Sequence, residues 1–189
     1  MLSNKINSFL AISLIIIFTI IGIGFGYWLT PEYQLSMYDK TTMSLGQADR
    51  WFDLRYINAM IAHHRGAVLM AEKVASQTKR QEIKDLTAEI LKNEPIAIDE
   101  LYKWKKDWYN DSRKVSDPII PNFGSYDEKY DLRFLNALIS HHQAGIVMVK
   151  EARLKSNRTE ILNNVDAVEL FLTDSLKTLT EWRKTWYQI

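Results

Sequence analysis

Residues 53–70, DLRYINAMIAHHRGAVLM, and residues 131–148, DLRFLNALISHHQAGIVM, align without a gap at an offset of 78 and share nine of eighteen positions. Most of the other positions change conservatively, with Tyr56 over Phe134, Ile57 over Leu135 and Val68 over Ile146. The same offset lays Trp104, Lys106, Trp108 and Tyr109 over Trp182, Lys184, Trp186 and Tyr187. Self-similarity at a fixed spacing marks an internal duplication. All four histidines of the chain fall in it, as His63-His64 and His141-His142.

Working outward from this stretch, apolar residues recur at helical spacing from Gln47 to about Ser76: Phe52, Tyr56, Ile57, Met60, Ile61, Ala67, Val68, Ala71 and Val74, with His64 among them. After the polar turn Ser76 to Arg80, a second helix is expected through Ile83, Leu86, Ile90, Ile98, Leu101, Trp104 and Trp108. Pro118, Pro121 and Gly124 mark residues 110–126 as a linker. A third helix is expected from near Asp127 and a fourth from near Thr159. Each repeat is thus a helical hairpin, over 47–109 and 127–189, and the two are expected to form an all-α, antiparallel four-helix bundle, ferritin-like in outline.

Placing the chemistry on these helices brings it together. At about 100° per residue, His64 falls about 40° from Met60 and His63 about 60° to its other side. Met60 is one turn from both histidines, whereas Met70 is two turns from His63. If the hairpin turns near 77–78, Glu94 on the second helix lies opposite this cluster and faces inward. A buried carboxylate there must be paired, protonated or bound to metal. Pro95 follows it and, inside a helix, frees the carbonyl of Leu91, so a kink or local widening is expected. The second copy differs: Leu138 replaces Met60, Leu172 replaces Glu94, and Gly66-Ala67 becomes Ala144-Gly145, while His141, His142 and Met148 remain. Glu169 is the nearest acidic substitute for Glu94, off-centre by one turn. Two arrangements stay open, one site shared between the copies or one complete site and a depleted copy.

The remaining chain sets the setting. Residues 9–29, FLAISLIIIFTIIGIGFGYWL, hold no charge over a length suited to spanning a hydrocarbon core of about 30 Å. Without an Ala-x-Ala cleavage signal it reads as an uncleaved transmembrane anchor over 1–30, followed by a juxtamembrane linker over 31–46. Lys5 is the only charge before it, which favours a single-pass topology with the body exported to a periplasmic or extracellular space. Gly22-x-x-x-Gly26 allows a homodimer through close helix packing. Beyond Lys5, 23 basic residues balance 23 acidic ones, so no basic surface for nucleic acid is expected. The chain has no Cys, which leaves His, Met, carboxylate or backbone as metal ligands.

The run Asp53-x6-Met60-x2-His63-His64-x2-Ala67-x2-Met70-Ala71, with a Trp on the following helix, resembles the family known as domain of unknown function 305, once per repeat. The resemblance implies an exported, ferritin-like helical bundle and, for some members, copper handling, with Met60, His63, His64 and Met70 matching the family's pattern. The chain departs from that pattern at Ala62 and Ser140, where Pro is usual, and at Leu101 and Leu179, where Met is usual. The usual Gln-x-x-Glu-Ile reads Glu94-Pro95-Ile96-Ala97-Ile98, so Glu94 stands in place of Gln and Ala97 in place of Glu.

Imidazole with thioether suits copper, and imidazole with carboxylate suits zinc or Cu(II). The expected function is metal binding for sequestration or transfer, with copper favoured over zinc, through His63, His64, His141, His142, Met60 and Glu94, joined by Met70 and Met148. The competing reading is a metal-free structural or partner-binding bundle, its histidines a polar core network and its methionines ordinary packing. A histidine pH sensor is a third. An enzyme is disfavoured, because Met60 and Ile61 stand where the Glu-x-x-His motif of di-iron bundles needs Glu. Asp53 and Asp131, about 16 Å of helix from the second histidine of each pair, read as structural groups at the helix starts.

Overall fold

The computed structural model describes residues 44–189, all within the second of the chain's two units, Met1–Lys40 and Thr41–Ile189. The expected anchor over 9–29, with Gly22 and Gly26, lies outside the described residues. Among those described, no helix is long and apolar enough to cross a membrane.

Four helices carry the described chain: α1 (Phe52–Ala75), α2 (Gln81–Tyr109), α3 (Tyr130–Lys155) and α4 (Thr159–Tyr187). α1 and α2 form one hairpin and α3 and α4 the other, and the hairpins meet through α1 and α3. These two central helices run antiparallel: Tyr130 Oη, at the start of α3, donates to the carbonyl of Lys73 at the end of α1 at 3.2 Å. At the opposite end, the amide of Leu45 donates to Glu151 at 3.0 Å. Because α1 must cover both α2 and α3, its buried surface is wider than one stripe. Every expected core position from Phe52 to Val74 is buried, and His63, Gly66 and Met70 are buried beside them. α2 flanks α1 and buries a narrower set, Ile83, Thr87, Ile90, Ile98, Leu101 and Lys105. It runs as one helix through Pro95.

The helix starts are built the same way in both repeats. α1 begins at Phe52, later than the periodicity at Gln47 implied, because Gly46 turns the chain at φ 84° and Gly124 does the same at φ 66° before α3. Asp49 then accepts the amide of Trp51, and Asp127 that of Lys129, each at 2.9 Å. Arg55 and Arg133 fold back onto these loops, donating to the carbonyls of Leu45 and Gln47, and of Phe123 and Ser125. The repeats also end alike, on left-handed residues Asn110 and Gln188, which close the last helical turns.

Asp53 and Asp131 bind the neighbouring repeat rather than cap their own helices. Arg158 Nε lies 3.4 Å from Asp53 Oδ2, and Arg80 Nε lies 3.6 Å from Asp131 Oδ2. The same guanidinium groups stack on the far repeat's aromatic end, Arg158 at 4.1 Å from the Trp108 ring and Arg80 at 4.3 Å from Trp186. These crossed braces should not weigh equally. The Asp131 side chain is 6% exposed against 17% for Asp53, so Arg80→Ala strands the more deeply buried carboxylate. Urea unfolding is expected to show a loss of about 1 kcal/mol for Arg158→Ala and about 2 kcal/mol for Arg80→Ala. Equal or reversed losses would refute that order.

Candidate metal centre

The antiparallel seam brings the two His-His pairs face to face. His63 and His141 stack with ring centroids 3.8 Å apart and planes 18° from parallel. His64 lies 6.0 Å beyond His63 and His142 6.1 Å beyond His141. The four imidazoles therefore form one file, His64, His63, His141, His142, running across the junction of the repeats.

Each end of the file is fixed by its own outer helix. His64 Nδ1–H donates to the Glu94 carboxylate on α2, as the register about the turn implied. The pairing places Glu94 at the flank of α1, with a side chain 14% exposed, rather than in the centre of a four-helix core. At the other end His142 Nε2 and the Ser175 hydroxyl of α4 share a hydrogen bond at 2.8 Å. Glu169 does not replace Glu94, because Arg153 takes it at 2.5 Å. Sequence reasoning missed Ser175. It sits at the position equivalent to Ala97, one turn beyond Leu172, and nothing in its local pattern sets it apart from other surface serines.

The hydrogen bonds decide which nitrogens carry lone pairs. His63 Nε2 is 3.1 Å from the backbone carbonyl of His141; a carbonyl only accepts, so this nitrogen bears the proton and Nδ1 carries a lone pair when the ring is neutral. The Glu94 carboxylate likewise holds the proton on His64 Nδ1 and bares Nε2. Both bare atoms are buried without a hydrogen-bond partner, as are His141 Nε2 and His142 Nδ1. Burial keeps three of the rings neutral: it lowers the pKa of His63 to about 4 and of His142 to about 3, and holds His141 well below the ordinary histidine value. Unprotonated imidazoles with unused lone pairs are the form that binds metal.

Glycine makes the stack fit. A Cβ on Gly145 would stand 2.5 Å from His63 Nε2, and one on Gly66 would stand 3.3 Å from His141 Cε1. The exchanged order Gly66-Ala67 and Ala144-Gly145 thus has a use, since each glycine receives the first histidine of the other repeat.

The remaining candidates lie in the core. Met60, Met70 and Met148 are all buried, Met60 and Met148 in one apolar cluster and Met70 in the other, and packing accounts for all three. Among the described residues, no three His, Asp or Glu side chains are already gathered as a ligand cage. The lone pairs bared on His63 Nδ1 and His64 Nε2 are donors of the kind a metal ion takes, and the Glu94-His64 pair matches the carboxylate–histidine support common behind metal-ligating imidazoles.

Fold and site together define a class, all-α proteins in which paired histidines on two helical hairpins meet at a central seam. Residues 53–122, the stretch bearing the first His-His pair, match the family described as Domain of unknown function (DUF305). Among solved structures, CopM in its Ag-bound form (by soaking) is similar, with 25% identity over 73% of this chain and 99% of that chain and a TM-score of 0.64. CopM in the Cu(I)-bound form gives 24% identity, the same coverages and a TM-score of 0.65. The Cu(II)-bound form gives 24% identity over 71% and 97% of the two chains, with a TM-score of 0.60. No curated protein matches the chain.

Proposed function

We propose that this protein binds copper-type ions through the file of imidazoles at the junction of its repeats and holds or passes them on. The observation that carries the reading is the set of four buried ring nitrogens without partners, with burial keeping the imidazoles of His63, His141 and His142 neutral. Leaving such atoms unpaired costs about 1–3 kcal/mol apiece, and a soft or borderline cation satisfies them. Binding of Cu(I), Cu(II) and Ag by CopM supports the same choice.

The sequence over 9–29 supports a setting for this activity: a membrane-anchored protein whose helical body lies on the exported side, where copper is captured before it reaches the cytoplasm. Gly22 and Gly26 leave room for a homodimer through the anchor. A metal-free polar core is the second reading, favoured by the bonds of His142 to Ser175 and of His63 to the carbonyl of His141.

Titration of the purified protein with Cu(I), Cu(II) and Zn(II) separates the two. Tight uptake of copper, weakened about 10-fold to 100-fold by His63→Ala with His64→Ala, is expected. Uptake of none of the three ions would leave only the structural reading standing.

A further inference from the structure

The two ends of the imidazole file differ in charge. On the first repeat, Glu94 accepts a hydrogen bond from Nδ1–H of His64. On the second, the matching helix offers Leu172 at the equivalent position and the neutral Ser175 hydroxyl to His142. Among the described residues, the carboxylates of α4 around it are already engaged: Arg153 holds Glu169 and Asp166, and Lys177 holds Asp174 at 2.8 Å. Phe171, with its ring centroid 6.3 Å from that of His142, adds further apolar surface.

We propose that Glu94 makes the first repeat the site for divalent copper, while the second repeat accepts only a soft monovalent ion. The inference rests on the metal reading above and assigns an oxidation state to each end. The cost of burying charge rises as its square, so an uncompensated divalent ion among neutral imidazoles is penalised about four times as heavily as a monovalent one. With the Glu94 carboxylate behind His64, a divalent ion leaves a residual charge of about one, the same as a monovalent ion leaves at the uncharged end. The carboxylate also fixes the tautomer that leaves His64 Nε2 bare.

The test titrates the full-length protein in detergent with Cu(II) and, separately, with Ag(I) as the redox-stable monovalent probe. Binding is followed by calorimetry and, for Cu(II), by electron paramagnetic resonance. Glu94→Gln keeps the hydrogen bond and removes the charge; Glu94→Asp keeps the charge. The expected result is a loss of about tenfold or more in Cu(II) affinity for Glu94→Gln, an altered Cu(II) spectrum, and Ag(I) affinity within about threefold. Glu94→Asp should retain most of the preference for Cu(II), and circular dichroism should show unchanged helix content in both variants. Equal weakening of both ions in Glu94→Gln, unchanged Cu(II) binding, or identical behaviour of the Gln and Asp variants overturns the assignment while leaving metal binding intact. Failure of the unaltered protein to bind either ion overturns the metal reading and this one with it.

Discussion

Lowering the pH from 7 to about 4 is expected to destabilise the metal-free protein by several kcal/mol. His63 is held at a pKa of about 4 and His142 at about 3, both by burial. In the unfolded chain each returns to about 6.5. The unfolded state therefore binds more protons throughout this window, and stability must rise with pH across it. The contribution is fully present above about pH 6.5 and drains away as the pH falls, with His63 alone worth on the order of 3 kcal/mol. The loss continues towards pH 3 as His142 follows. Urea unfolding between pH 7 and pH 3 measures it directly. His63→Gln should flatten the slope between pH 6.5 and 4, and a slope unchanged by that substitution would show that the buried imidazole is not its source. Saturating copper should steepen the dependence, since metal and protons compete for the same lone pairs.

Gly145→Ala should disrupt the seam more than any other single methyl. The added carbon would stand 2.5 Å from His63 Nε2 and 2.6 Å from Leu172 Cδ1, inside van der Waals contact with both. His63 cannot retreat freely, because His141 is stacked 3.8 Å behind it. Overpacking of this kind costs about 1–3 kcal/mol, against a gain of about 1 kcal/mol from helix propensity. The net loss in the unfolding midpoint is expected to be modest, whereas the loss of copper binding should be large, because the bond from His63 to the His141 carbonyl goes with the displaced ring. Gly66→Ala is the natural comparison. Its methyl would meet His141 Cε1 at 3.3 Å, a contact a small shift relieves, so stability should hold and binding should weaken little. Parity between the two substitutions would mean that the stacked pair is not what the glycines protect.

The hairpins could be read from the sequence because their causes are local. Apolar spacing set the buried face of α1, the proline-rich stretch ended the first repeat, and counting residues about the turn at 77–78 placed Glu94 against the histidines. What depended on the way the hairpins meet was not legible. The expectation that Glu94 faces the centre of a four-helix core fails because α2 packs mainly on α1, leaving α1 and α3 to form the seam. The stacking of His63 on His141 and the partnership of His142 with Ser175 follow from that seam, which no pattern within a single repeat encodes. The Gly66-Ala67 and Ala144-Gly145 exchange was visible as a difference between the copies, but its purpose needed the opposing ring.

That exchange bears on how the two halves can drift apart. A perfectly repeated chain would set the same residue against the first histidine of each half. Here the copies differ, with glycines one position out of step. Once this is done the halves are no longer interchangeable: a first repeat pasted in place of the second would set Ala67 where Gly145 stands and drive a methyl into His63. Chimeras that swap whole repeats should therefore fail at the middle, even where every helix is retained.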